Sequence, residues 1–181
     1  MKEKLVLHVC CAPCAVYPVL ELSHQFDLIM AFYGPCIYPE EEYNRRLDAG
    51  FDLSKKTGIK FIELEYNPQD WYLTISGLES ESEGGKRCIV CYKMRLEKIA
   101  GFAKDNNCKY FATTLTISPH KPAETINPIG EDIARKYGIA FLVKDFKEKD
   151  GFKKGCQLTK EYGLYRQNYC GCEFSIRKTE V

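Results

Sequence analysis

Seven of the ten cysteines in this 181-residue chain fall in three tight groups: Cys10-Cys11-Ala12-Pro13-Cys14, Cys88-Ile89-Val90-Cys91 and Cys170-Gly171-Cys172. Thiolate sulfur is a metal ligand, so grouped thiols in a chain of this size read first as a metal site. A disulfide framework is the competing reading, but it belongs to small secreted domains that cannot build a core. This chain is 45% apolar and needs no such staples. A structural zinc ion takes four ligands, and a 4Fe-4S cluster also takes four cysteines. Seven exceeds either, whereas a cluster plus a second metal uses them all. The Cys-x-x-x-Cys-x-x-Cys triplet of radical-SAM enzymes is absent.

The elements that must position these thiols are legible as apolar runs between turn signals. Strands are predicted at Leu5 to Val9, Asp27 to Tyr33, Lys60 to Tyr66, Lys109 to Leu115 and Ala140 to Val143. Helices are predicted from Pro39, with its acidic first turn, to Gly58, from about Cys88 to Lys104, and from Ala123 to Tyr137. Alternating strands and helices without an internal repeat or linker predict a single α/β domain over residues 1–181 with a mostly parallel sheet. Ligands of such sheets bind beyond the carboxyl ends of the strands. Cys10 ends the first strand there, and Pro13 suits the first turn of a following helix. A helix N-terminus favours thiolate at Cys11 and Cys14, and the same logic applies to Cys88 and Cys91, with Lys86 and Arg87 beside them. Cys170 and Cys172, two apart in extended chain, point to one side. Ser76 to Gly85 reads as an acidic, flexible lead-in to Cys88, and Ser118 to Pro122 as a second loop.

Composition excludes less than it might. The formal net charge is +1, so any contact with nucleic acid must come from a local patch. Lys144, Lys147, Lys149, Lys153, Lys154, Lys160, Arg166, Arg177 and Lys178 crowd the C-terminal part, where a solvated helix face is the ordinary explanation and phosphate contact the functional one. The apolar stretch after Met1 is too short for a secretory signal, and no run approaches the roughly 20 apolar residues of a membrane span. A cytoplasmic protein without membrane contact is the expectation.

Four blocks in order carry a resemblance: His8-Val9-Cys10-Cys11-Ala12-Pro13-Cys14; Arg87-Cys88-Ile89-Val90-Cys91-Tyr92; Thr113-Thr114-Leu115 running to Ser118-Pro119-His120-Lys121; and Tyr165-Arg166-Gln167-Asn168-Tyr169-Cys170-Gly171-Cys172. Together they resemble the cobalamin-independent epoxyqueuosine reductase family of the QueH type over nearly the whole chain. The resemblance implies a Rossmann-like domain of the HUP type with a metal site at the carboxyl ends of its strands. It also implies a 4Fe-4S cluster with an adjacent iron ion, and reduction of epoxyqueuosine in the tRNA anticodon to queuosine. An external one-electron donor protein would then be a second partner. On this view Cys10, Cys11, Cys14, Cys88, Cys91, Cys170 and Cys172 are the metal ligands.

Candidate proton donors are His120, Asp145 and Tyr169, chosen by side-chain chemistry and nearness to these blocks. Each has a structural alternative: a loop anchor, a cap for Phe146 onward, and packing against the cluster. Thr114, Lys121 and Arg166 are the expected substrate-binding residues. One departure stands out, because Gly34-Pro35-Cys36-Ile37-Tyr38-Pro39 replaces the family's expected Asn-Pro-Asn-Ile-His-Pro, so Cys36 and Tyr38 inherit no role. If the second strand ends near Gly34, Cys36 lies on the ligand side of the sheet. Cys108 and Cys156 read as buried spectators. Two other readings remain at this point, an iron-sulfur tRNA thiolase of related fold and a non-enzymatic zinc-binding RNA module. The thiolase should carry a Ser-Gly-Gly-x-Asp-Ser phosphate loop where Cys10 to Cys14 stand.

Overall fold

The computed structural model describes residues 2–176. Its five strands are β1 (Glu3–Val9), β2 (Phe26–Phe32), β3 (Lys60–Glu63), β4 (Tyr110–Thr113) and β5 (Ala140–Phe141), joined in the order β3-β2-β1-β4-β5 with every pairing parallel. The helices are α1 (Ala12–Ser23), α2 (Glu40–Thr57), α3 (Pro68–Thr74), α4 (Lys86–Asp105), α5 (Ala123–Tyr137) and α6 (Gly151–Glu161), with short 3₁₀ turns at Thr114–Ile117, Glu148–Asp150 and Glu173–Ser175. An α/β domain with a parallel sheet flanked by helices is therefore what the alternation produces.

A central parallel strand is covered on both faces, which is why β1 reads as an unbroken apolar run. Leu5, Leu7 and Val9 join the core beneath α1 and α2, while Val6 joins Leu96, Ile99, Ile126 and Ile133 of α4 and α5 on the other face. The one polar residue in the run, His8, is fully buried. Its Nε2 lies 2.9 Å from the Tyr33 carbonyl, an obligate acceptor, so Nε2–H donates and Nδ1 accepts from the Thr113 hydroxyl at 3.0 Å. Burial first, and then the charge of Arg95, lower its pKa to about 3 against the opposing bond to Tyr33. The neutral ring thus ties the carboxyl ends of β1, β2 and β4 together.

Three predicted strands are shorter than expected, at the sheet edges and at β4. Thr113 Oγ1 accepts from the Leu115 backbone N–H at 3.1 Å, which turns the chain into the 3₁₀ segment and stops β4 before Thr114. Past β3 and β5 single bonds persist, from Leu64 N to Phe32 O and from Leu142 N to Phe111 O, both at 2.9 Å. Three helices, α1, α3 and α6, went unpredicted in extent, although α3 has a legible start in Asn67, whose side chain accepts from Gln69 N at 3.2 Å, followed by Pro68. The lysine-rich stretch forms α6, which packs on α1. Among the described residues no helix is long and apolar enough to cross a membrane. Arg177 and Lys178 lie outside the described residues.

Candidate metal centre

Strand order reverses at β1, where connections leave to opposite sides and open a crevice at the carboxyl ends. Cys10 follows β1 directly, Cys11 is the N-cap of α1 and Cys14 lies in its first turn. Cys10, Cys11 and Cys14 lie close enough for each thiol to perturb its neighbour's ionisation. The Gln167 amide donates to Cys11 Sγ at 2.9 Å and approaches Cys14 Sγ at 3.8 Å. In the first turn of α4, Cys88 Sγ accepts from Gly84 N at 3.2 Å. Cys91, one turn on, shares a buried cluster with Cys36 of the loop after β2. Cys170 is close enough to raise the proton affinity of Cys88, Cys91 and Cys172. Among the described residues no three His, Cys, Asp or Glu side chains converge on one point at metal-binding geometry.

Crowding reverses the expectation that helix N-termini hold these thiols ionised. The bond to Cys11, with burial, raises Cys10 well above the ordinary thiol range. Cys11 is lowered by its bond with Cys10, but the bond with Cys14 and burial outweigh that and bring it to about 12. Burial, aided by Cys36, raises Cys172 to about 11. Cys36 alone goes the other way, to about 5, because it accepts from Cys91 and, against burial, faces Arg95. Cys91, facing Cys36 and buried, rises well above the ordinary thiol range. Neighbouring thiolates repel, and a dication placed among them inverts that logic.

Three arginines, each 1% exposed, organise the surroundings. Arg46 of α2 pairs with Glu42 at 2.7 Å and donates to the carbonyls of Cys170 at 2.9 Å and Tyr169 at 3.1 Å, so it binds the C-terminal strap that carries two of the thiols. Gly171 adopts φ 129°, and any Cβ there would stand 2.9 Å from Arg46 Nη1, which explains the glycine between the two cysteines. Arg87 donates to the carbonyls of Leu78, Glu79 and Glu81 and lies over the Phe174 ring. The acidic segment before Cys88, read as flexible from sequence, is thereby pinned. Arg95 of α4 donates to Cys36 Sγ, and its Nε has no partner.

A cavity of about 470 Å³ opens beside the thiols, lined by Cys10, Cys11, Cys14 and Cys170 together with His120, Lys121, Arg166, Gln167 and Tyr169. The volume suits a nucleoside-sized ligand. Burial disfavours the Lys121 ammonium, but the facing Cys170, Cys10 and Cys14 more than offset this and hold it charged. His120 and Arg166 are exposed at the rim. Tyr169 donates its hydroxyl to the Tyr38 carbonyl, and burial raises its pKa to about 12. Cys88, Cys91 and Cys172 are not among the lining, nor are two of the expected catalytic and substrate-binding residues. Asp145 caps the following turn, accepting from Lys147 N at 2.9 Å and pairing with Lys147 Nζ at 3.0 Å. Thr114 is fully buried, and its hydroxyl has no partner. Cys156, read as a spectator, and Glu83, read as part of a mobile lead-in, both line the cavity. Cys108 lies apart, donating to Asn106 O at 3.6 Å.

The donor set fits a thiolate-bound metal centre in its chemistry. Thiolate-ligated iron or zinc carries net negative charge, and buried Arg95 and Arg46 with half-buried Lys121 bring positive charge to these sulfurs. Cys10, Cys11, Cys14, Cys88, Cys91, Cys170 and Cys172 are the residues available to hold it.

The family model described as epoxyqueuosine reductase QueH matches residues 5–178. The chain is 39% identical over 183 residues to the epoxyqueuosine reductase QueH of Streptococcus pyogenes serotype M1, covering 98% of this chain and 72% of that protein. It is 36% identical over 175 residues to the protein of that name from Thermotoga maritima, covering 95% and 90%. Among solved structures it is similar to the U34-tRNA thiolase NcsA from Methanococcus maripaludis with its 4Fe-4S cluster, at TM-score 0.65 and 14% identity over 97% of this chain and 62% of that one. The last is a likeness of fold.

Proposed function

Because this chain belongs to the epoxyqueuosine reductase QueH family, we propose that its clustered thiols hold an iron-sulfur cluster and an adjoining iron for the family's reaction, reduction of epoxyqueuosine in tRNA to queuosine. The chain is accordingly an oxidoreductase of queuosine biosynthesis. We read residues 1–181 as one reductase domain of Rossmann-like, HUP-type fold with its metal site at the carboxyl ends of the strands. The observation that carries the metal reading is the gathering of motif cysteines from three distant segments against buried cations, beside a nucleoside-sized cavity.

Converting the epoxide to an alkene consumes two electrons and two protons and releases the oxygen as water. When bound, the centre supplies electrons singly, from an external one-electron donor protein, and an electron-pair acceptor. The chain's own groups do the rest. Lys121, held charged at the cavity wall, stabilises negative charge developing on the departing oxygen. His120 at the rim delivers protons. The Tyr169 hydroxyl, engaged with Tyr38, orients the strap that carries Cys170. Arg166, with exposed Lys153, Lys154 and Lys160 of α6, meets tRNA phosphates. Free thiols and a tRNA substrate together imply the cytoplasm. The thiolase alternative lacks its phosphate loop, since Cys10 to Cys14 occupy that turn.

The test is direct. Iron-loaded protein reduced with dithionite should convert epoxyqueuosine in tRNA to queuosine, read by nucleoside mass spectrometry, and Cys11→Ala or Cys170→Ala should abolish conversion. Intact epoxyqueuosine after incubation with the reduced, cluster-replete protein would refute the activity. Full-rate conversion by both variants would refute the site.

A further inference from the structure

We propose that Cys36 is an additional thiolate ligand of this chain's metal centre, an inference that rests on the iron-thiolate reading above. Nothing in the sequence assigns it a role, yet it is only 3% exposed and shares a buried cluster with Cys91. Two thiolates on one tetrahedral ion, with bonds of about 2.3 Å, stand roughly 3.8 Å apart, which is contact distance for sulfur. A metal bound by Cys91 would therefore sit beside the packed Cys36 thiol.

The loop is built to present that sulfur. Gly34 O accepts from Ile37 N at 3.1 Å, and a Cβ on Gly34 would stand 2.4 Å from Ile37 Cδ1, so the turn closes tightly around Cys36. Tyr38 N donates to Gly171 O at 2.8 Å, which fastens the loop to the strap that carries Cys170 and Cys172, and Tyr66, after β3, donates to Ile37 O at 2.8 Å.

The counter-charge points the same way. Arg95 is buried and donates to Cys36 Sγ, its Nε is unpartnered, and no carboxylate pairs with it among the described residues. A buried guanidinium demands an anion. Of the thiols whose charge would favour it, Cys36, Cys91, Cys10 and Cys170, it is Cys36 that it contacts. Cys108 offers the contrast, an equally buried thiol that meets only a backbone carbonyl.

The experiment compares wild type, Cys36→Ala, Cys36→Ser and Cys108→Ala, each reconstituted anaerobically with iron-57 and sulfide. Thermal unfolding of the metal-free proteins verifies that each is folded, and Cys36→Ser, closest in volume, stands in if Cys36→Ala is not. Cys36 variants should carry about one iron atom per chain fewer, or equal iron with altered Mössbauer parameters and altered electron paramagnetic resonance of the reduced centre. Cys108→Ala should match wild type in every readout. Wild-type iron content and spectra in a folded Cys36 variant would overturn the proposal while leaving the iron reading intact. Failure of wild type itself to take up iron would overturn the iron reading, and the ligand with it.

Discussion

Replacing Arg46 with methionine should loosen the strap that carries Cys170 and Cys172 before it affects anything else. The guanidinium is 1% exposed and pairs at 2.7 Å with a Glu42 side chain that is itself 5% exposed. Removing one partner of a buried pair costs about 3–5 kcal/mol. Glu42 keeps a 2.6 Å bond from the Tyr165 hydroxyl and sits in the first turn of α2, where the helix dipole favours an anion, so the lower end applies. The carbonyls of Tyr169 and Cys170 lose charged donors but are partly wet, which adds about 1 kcal/mol. A total near 4 kcal/mol corresponds to roughly 10 °C in the melting temperature of a domain this size. Thermal and urea unfolding of metal-free protein measure it, and hydrogen exchange over residues 165–175 locates it. A Glu42→Gln, Arg46→Met double variant should lose less than the sum of its parts. A loss under about 1 kcal/mol, with exchange over 165–175 unchanged, would refute the strap argument.

Protein purified without oxygen should be brown, carry iron well above one atom per chain and bleach in air, with Cys88→Ser and Cys91→Ser lowering the iron content. A colourless product with one zinc per chain after attempted reconstitution would count against two metals. Stability of the metal-free protein should fall on acidification below about pH 6.5. Buried His8, at about 3, stays neutral while the unfolded chain binds a proton, a loss of about 1.4 kcal/mol per pH unit until the folded pKa is reached. Urea midpoints from pH 7 to 5 measure this, and an equal slope in a folded His8→Asn variant would reassign it. His120→Ala should lower kcat by about 10² with unchanged iron content, whereas Asp145→Asn should leave kcat near wild type and cost stability instead, because that carboxylate caps a turn. Arg166→Ala should weaken tRNA binding and flatten its salt dependence, while Lys144→Ala should do neither, being paired with Glu21 at 2.8 Å.

The local patterns that sequence carries were enough for the α/β layer and for the seven motif thiols. Helix periodicity and strand-length apolar runs are properties of neighbouring residues, and Ala123–Tyr137 emerges with the predicted bounds. Grouped cysteines are equally local. What tertiary structure decided is what faces them. Arg46 and Arg95 look like surface charges on amphipathic helices, because their burial depends on segments far along the chain. Arg46 meets a carbonyl 124 residues away, and Arg95 meets a sulfur 59 residues away. The basic run could not be sorted by reading it, since Lys144 and Lys147 are engaged by Glu21 and Asp145 while Lys153, Lys154 and Lys160 face solvent. Nor could the thiols' ionisation be read from helix N-termini, because burial and neighbouring sulfurs outweigh the dipole at Cys11 and Cys91 once the chain is folded. Cys36 is the sharpest case: a lone cysteine in sequence acquires an arginine and a second thiol only when the loop after β2 closes against α4 and the C-terminal strap.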